Sequence, residues 1–389
     1  MNAILKPQSP CLTREEALAR AHELAPRLRE RSERCTTQRS VPAETIQEFK
    51  DTGLVKLMQP KAYGGSELGR DVVCEVIQIL APACGSQAWV YHVLADHAWM
   101  LGTYAAQAQQ DVWGKDPDTL VSSSFAPMAR ARAVPGGFIC SGRHGFSSGI
   151  DHVDWVVCGG LVEGSNEERH FLIPRTDGTV LDDWNVNGLE GTGSKTFLVN
   201  EVFVPEHRTI AVADAAAGRG PGSAVNTAPL YRAPRFGYTS SGFSALVVGM
   251  AQGLLDEWLT YTAKRRGGLN AKKESMQMLA GQVSSEIASA ELLYLSTIRD
   301  ATRRINGGEN LSEGGVYCLQ GHFAYATQLV LSATVRIYNA SGAMTIYRGN
   351  SIERQFRNIM ASVQHVSVDW PTGAAVHGAH LLRGRGAAL

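Results

Sequence analysis

The side chains of this 389-residue chain that could do chemistry fall into three groups. Hydroxyls occur in VSSSF (Ser122, Ser123, Ser124), in FSSGID (Ser147, Ser148) and in GLEGTGSKT (Ser194). Imidazoles occur in YHVLADHAW (His92, His97), in VQHVS (His365) and near the C-terminus (His377, His380). Guanidiniums stand as Arg265 and Arg266 before two glycines, and as Arg354 and Arg357, three apart on one helix face. A neutral hydroxyl donates or accepts a hydrogen bond without adding charge. An imidazole titrates near neutrality and can take a proton. A guanidinium pairs with phosphate, although at a helix end it complements the helix dipole equally well.

The glycine-rich stretch GLEGTGSKTFLVNEVFVP, residues 188–205, has the outline of a phosphate cradle and fails as one. Ser194 separates the last glycine from Lys195, and a strand follows where a P-loop needs a helix N-terminus. A third glycine is missing for the dinucleotide fingerprint. The pattern is that of a tight turn entering a strand, with Phe197, Val199 and Glu201 on one face and Leu198, Val202 and Val204 mostly on the other. Other chemistries are excluded in the same way. His377 and His380 are three apart and could share a helix face, but no acidic or cysteine partner is placed to complete a site, so a metal site is rejected. There is no G-x-S-x-G elbow for a nucleophilic serine.

Lysine plus arginine equals aspartate plus glutamate at 37 each, which removes a global electrostatic argument for nucleic acid or anionic membrane. Small molecules or other subunits are the expected partners. Seven scattered cysteines with no C-x-x-C pair indicate neither a disulfide framework nor a zinc ribbon, and point to a reducing compartment. MNAILKPQSPCLTREE lacks the apolar core of a signal peptide, and no window reaches the roughly 18 apolar residues of a membrane span. A cytoplasmic location is expected.

Three regions must position these groups. Thr13 and Glu16 form a capping box that opens a helix over about 13–33; Pro42 starts a second, which Gly53 ends. Apolar helical sequence continues to Trp113, so residues 1–117 read as an α-helical domain. From 118 to 210, six or more short runs rich in Val, Phe, Ile and Trp alternate with turn residues, which predicts an antiparallel sheet or small barrel. Residues 211–235 close an Ala-, Gly- and Pro-rich stretch beginning at 206, expected to be a long surface connection. Residues 236–389 then hold helical stretches at 239–265, 273–305, 312–345 and 353–366, with a short one near 374–383, as in an up-and-down bundle.

The strings QAWVYHVLADHAW, VSSSFAP, FSSGIDHVDW, GLEGTGSKTFLVNEVFVP and RQFRNIMASVQH, in this order, resemble the acyl-CoA dehydrogenase fold in its oxygenating branch. That branch comprises the oxygenase components of two-component flavin-dependent aromatic monooxygenases, such as the oxygenase of p-hydroxyphenylacetate 3-hydroxylase. The resemblance implies a mainly α chain with an N-terminal helical domain, a central β-domain and a C-terminal four-helix bundle. It also implies reduced FMN or FAD delivered by a separate NAD(P)H:flavin reductase, dioxygen, and attack of a flavin C4a-hydroperoxide on a phenolic or indole-like ring. A homotetramer follows by the same analogy.

Residue roles follow from the resemblance as well. Ser148 matches the family serine beside flavin N5, with Ser147 as the alternative register; Ser123 matches a second serine near flavin and substrate. His365 falls where the family has its active-site histidine, as a base or a hydrogen-bond partner. His97 matches the histidine that meets the substrate hydroxyl, with Phe125 as a further substrate contact, whereas His92, five residues earlier, is read as structural. Arg265, Arg266 and Arg357 are candidate flavin contacts, and Ser194 is the side chain of the glycine loop that belongs with them. The chain departs from the dehydrogenase pattern in having VQHVSVDW where the glutamate base would stand. Within the oxygenating branch, Phe146 replaces a frequent tryptophan and Asn358 a frequent aspartate. The alternatives are a dehydrogenase-like flavoprotein, including one that oxygenates nitrogen or sulfur in another small substrate, and a helical assembly protein without chemistry.

Overall fold

The computed structural model describes residues 11–265 and 267–386. Six helices form the N-terminal region: α1 (Arg14–Glu30), α2 (Ser32–Thr37), α3 (Ala43–Asp51), α4 (Arg70–Leu80), α5 (Gly85–Leu101) and α6 (Ala106–Trp113). The expected capping box is formed, with Thr13 N donating to Glu16 Oε2 at 2.8 Å and Glu16 N donating to Thr13 Oγ1 at 3.2 Å. The helix expected to run to 33 ends at Glu30, and α2 restarts after Arg31. Every residue of α5 is buried. A helix buried on every side belongs to the core, and α5, with Gln87, His92, Asp96 and His97 buried among its apolar residues, is the rod on which the site is built.

Seven strands follow: β1 (Val121–Val134), β2 (Gly137–His144), β3 (Trp155–Val162), β4 (Glu168–Pro174), β5 (Thr179–Leu181), β6 (Thr196–Pro205) and β7 (Thr209–Ala211). They make one sheet in the order β5-β6-β2-β1-β3-β4-β7. The expected all-antiparallel pattern is corrected at one pairing, because β1 and β3 run parallel. The β1–β2 hairpin occupies one side of β1, so the chain crosses through 145–154 to reach the other side. That crossover carries FSSGID, which brings Ser148 back beside β1.

Two bulges re-aim side chains. In β6 the register shifts opposite Cys140 and Gly142, at a point where Glu201 has φ +49°. The face alternation expected for this strand therefore inverts: Phe197, Val199 and Val204 are buried together, while Leu198 and Phe203 are exposed. In β1 the register shifts between Ser124 and Ala129, which swings Phe125 out of the ladder. Gly159 admits that bulge, since a Cβ there would lie 2.2 Å from Phe125 O.

The connection contains α7 (Val212–Ala216) and the kinked α8 (Arg235–Tyr238), in which Phe236 and Gly237 depart from helical geometry. It is not the surface segment expected, because Leu230, Tyr231, Ala233 and Arg235 are buried. Tyr231 Oη donates to Met58 O at 3.0 Å and Trp99 Nε1 to Leu230 O at 2.8 Å, tying the segment to the N-terminal helices. The bundle consists of α9 (Ser240–Lys264), α10 (Glu274–Asn306), α11 (Glu313–Ser341), α12 (Ser351–Ser362) and α13 (Trp370–Gly386). α12 stops earlier than expected, which leaves His365 in the link before α13. The glycine loop is fastened to α12: Leu189 N donates to Asn358 Oδ1 at 2.7 Å, and Glu190 pairs with Arg357.

Candidate active site

Ser148 lies in the crossover turn, 7% exposed. Its Oγ accepts from Trp89 Nε1 on α5 at 3.0 Å and shares a proton with Ser194 Oγ at 2.7 Å. Ser194 Oγ is 2.6 Å from Thr192 Oγ1, which in turn donates to Leu189 O at 2.9 Å. The carbonyl can only accept, so the protons run in one direction: Thr192 to the carbonyl, Ser194 to Thr192, Ser148 to Ser194. Ser148 Oγ is left with one free lone pair, and no charged group belongs to the chain. Ser147 is spent locally, donating to His144 O at 3.3 Å.

A second directed pair sits one strand away. His97 Nδ1 donates to Val121 O at 2.7 Å, which fixes the tautomer and leaves Nε2 as an acceptor. Ser123 Oγ lies 2.7 Å from that Nε2 and donates to it. Ser123 Oγ therefore offers its lone pairs outward. Burial drives His97 down to about 4, so the ring is neutral near pH 7. Ser122 Oγ joins the two systems by donating to Ser148 O at 2.8 Å.

Aromatic rings close the space between α5 and the bundle. Phe243 of α9 stacks on His365 with ring centroids 3.8 Å apart, and the Trp89 ring meets both of them edge-on. His365 is half-buried, its Nδ1 accepts from Ser367 N at 3.2 Å, and burial lowers its pKa to about 4. With Nδ1 occupied as an acceptor, the neutral ring carries its proton on Nε2. His92 packs edge-on to Phe243 at 4.5 Å and is fully buried. Asp96 beside it is held in place by Arg70 through two hydrogen bonds, of 2.5 and 2.8 Å.

Phe125, turned out by the bulge, stands edge-on to His97 at 5.8 Å and beneath the guanidinium of Arg235 at 3.7 Å. Arg235 is 8% exposed and donates to His170 at 2.9 Å. It pairs with no carboxylate among the described residues, and burial lowers its pKa to about 10. A cation buried without a counter-ion is costly. Arg235, Trp89, Thr192 and Phe243 were not singled out from sequence. Trp89 falls within QAWVYHVLADHAW, but Arg235 sits in Ala- and Pro-rich sequence that carries no pattern.

The remaining candidates stand apart from the Ser148 and Ser123 hydroxyls. Arg265 Nη1 donates to Ser341 O at 3.0 Å, capping the end of α11. Arg357 is held by Glu190 and Glu353. Arg266 lies outside the described residues.

Residues 14–116 match the acyl-CoA dehydrogenase N-terminal domain and residues 241–370 the acyl-CoA dehydrogenase C-terminal domain. The chain is 33% identical over 360 residues to the flavin-dependent monooxygenase oxygenase subunit HsaA of Rhodococcus jostii, covering 90% of this chain and 94% of that one. It is 28% identical over 388 residues to the oxygenase component of p-hydroxyphenylacetate 3-hydroxylase from Acinetobacter baumannii, covering 96% of this chain and 91% of that one. The crystal structure of 3-HSA hydroxylase from Rhodococcus sp. RHA1 superposes with a TM-score of 0.91 at 33% identity, over 94% of this chain and 96% of the other.

Proposed function

The chain belongs to the acyl-CoA dehydrogenase family as one of its flavin-dependent monooxygenase oxygenase subunits, and on that footing we propose how its own residues carry the reaction. It is an oxygenase component that uses reduced flavin and dioxygen to hydroxylate an aromatic compound, with a separate reductase supplying the flavin.

The free lone pair on Ser148 Oγ supports this reading best. Reduced flavin presents an N5–H donor, and the hydroxyl chain from Ser148 to Leu189 O leaves one acceptor without a proton of its own to offer. The residues present thus fit the reduced cofactor. When bound, it would supply the two electrons that activate dioxygen, which itself furnishes the transferred oxygen atom and leaves its other oxygen as water. Ser148 would accept a hydrogen bond from N5–H of the bound cofactor, while Trp89 and Ser194 hold Ser148 in place. Lacking charge, this contact neither attracts water nor protonates the cofactor.

Ser123 and His97 take the substrate end. A phenol or indole N–H donates to Ser123 Oγ, whose own proton is already directed at His97 Nε2. Proton density moves off the ring toward neutral His97, which makes the ring a better nucleophile. The uncompensated charge of Arg235, lying on the face of Phe125, favours a substrate of phenolate character. His365 contributes an Nε2–H donor and, with Trp89 and Phe243, an apolar wall that limits water. Arg265 and Arg357 keep the bundle end and the glycine loop in place rather than meeting the cofactor within one protomer.

Exposed Met278 and Leu292 on α10, with Met344, Ile346 and Tyr347 beyond α11, form the kind of apolar surface that self-association covers; a homotetramer is the assembly we assign. No described helix is long and apolar enough to cross a membrane, and a cytoplasmic site of action is part of the proposal. A single turnover with photoreduced FMN or FADH2 and a phenol, without nicotinamide, tests the division of labour. Hydroxylated product must form; a requirement for NAD(P)H by this chain alone would refute it.

A further inference from the structure

Away from this site, the outer face of the bundle brings together three metal-ligating side chains. Cys318 and His322 lie one turn apart on α11, and His377 faces them from α13. All three are half-buried, and their ligand atoms lie within 4.8 Å of one another. Cysteine was what His377 lacked in its own stretch of sequence; the fold provides it from another helix.

Three further features fit a metal site. Cys318 Sγ is 3.6 Å from His322 Nε2. Metal–sulfur and metal–nitrogen bonds of tetrahedral zinc imply a ligand-to-ligand edge of about 3.6 Å. Thr297 Oγ1 donates to Leu293 O at 2.7 Å, so its contact with His322 Nδ1 at 3.1 Å has the ring as donor. That hydroxyl fixes the tautomer with the Nε2 lone pair available, as an outer-shell partner does for a ligating histidine. Finally, α11 carries glycine where His377 approaches: a Cβ on Gly321 would lie 2.5 Å from His377 Nδ1. The rings of His322 and His377 are 5.5 Å apart and inclined by 75°, so drawing the three ligand atoms onto one ion needs side-chain movements on the order of 1 Å.

We propose that Cys318, His322 and His377 bind one zinc ion that staples α13 to α11, with water in the fourth position. Thiolate and two imidazoles suit zinc, and three protein ligands leave one coordination position open. Binding displaces the Cys318 thiol proton to solvent, and no electron is transferred. Because α13 begins five residues after His365, the staple also anchors the link that carries that ring.

The probe is Co2+, titrated into chelator-treated, reduced full-length chain and then displaced by Zn2+. One Co2+ per chain should bind, with the visible bands of a tetrahedral site and a near-ultraviolet thiolate charge-transfer band. Cys318→Ser should abolish the charge-transfer band, and His322→Gln and His377→Gln should weaken binding at least tenfold. His380→Gln and Cys11→Ser should bind as the unmodified chain does. Gly321→Ala, which keeps every ligand but displaces His377, should weaken binding as well, and circular dichroism checks that each variant is folded. Failure to bind Co2+, survival of the charge-transfer band in Cys318→Ser, or equal loss in His380→Gln and His377→Gln overturns the assignment.

Discussion

Ser122 Oγ donates to the backbone carbonyl of Ser148 at 2.8 Å, across the parallel junction of β1 with the crossover turn. This bond fixes the spacing between two one-way proton arrangements, one ending at Ser148 and the other at Ser123. In the mechanism we propose, the first receives a proton donor on the cofactor and the second a proton donor on the substrate.

Ser148→Ala removes the acceptor of Trp89 Nε1 and the donor to Ser194. The ratio of hydroxylated product to oxygen consumed should drop sharply, with hydrogen peroxide making up the difference. Stability should fall by about 1–3 kcal/mol. Trp89→Phe should cost similar stability and keep more of the coupling, because it leaves the proposed contact of Ser148 with the cofactor in place. Product yield together with a thermal melt decides; unchanged yield in Ser148→Ala excludes that role.

Ser123→Ala interrupts the path to His97. Hydroxylation should slow by on the order of 100-fold, while oxidation of reduced flavin without substrate is unaffected. Since burial holds His97 near 4, the ring is already neutral at pH 6. Its titration then gives no acid limb with a midpoint near 6.5 in the rate of the hydroxylation step. Such a limb, abolished in His97→Gln, would contradict the assignment.

Asn358 links the glycine loop to α12 by accepting from Leu189 N. Asn358→Asp keeps an acceptor for Leu189 N and should cost less than Asn358→Leu. Asn358→Leu leaves the buried amide unpartnered and should cost about 1–3 kcal/mol. Urea denaturation midpoints separate the two, and equal losses would mean that the hydrogen bond is not what matters.

Four histidines, His92, His97, His144 and His365, are each lowered to about 4 by burial. Between pH 6.5 and 4 the unfolded chain binds protons that the folded chain refuses, so stability is full above about 6.5 and falls as the pH drops. The melting temperature should decline steadily from pH 7 to 5. A flat profile would mean that these rings are accessible to protons in the folded state.

Much of this architecture was legible in the sequence, because helix periodicity, capping residues and short β-rich runs are local signals. The order of regions and the strings around Ser148, Ser123, His97 and His365 carried the family resemblance. What stayed hidden depends on contacts distant in the chain. Arg235 lies in patternless sequence and is buried against Phe125 of β1 and His170 of β4. The bulge at Glu201 inverts a face alternation that the residues alone do not reveal. His365 leaves its helix because α12 ends at Ser362, and the direction of the Ser148 chain depends on Leu189 O, 41 positions away. The Cys318 cluster joins, from two helices, side chains that lie more than 50 positions apart in the chain.

The most direct test is a single turnover with reduced flavin, 18O2 and a phenolic substrate, with the product read by mass spectrometry. One 18O atom in the hydroxylated ring, and none from labelled water, is the expected result. Hydrogen peroxide as the sole oxygen product across a panel of phenols and indoles, or a hydroxyl oxygen drawn from water, would contradict it.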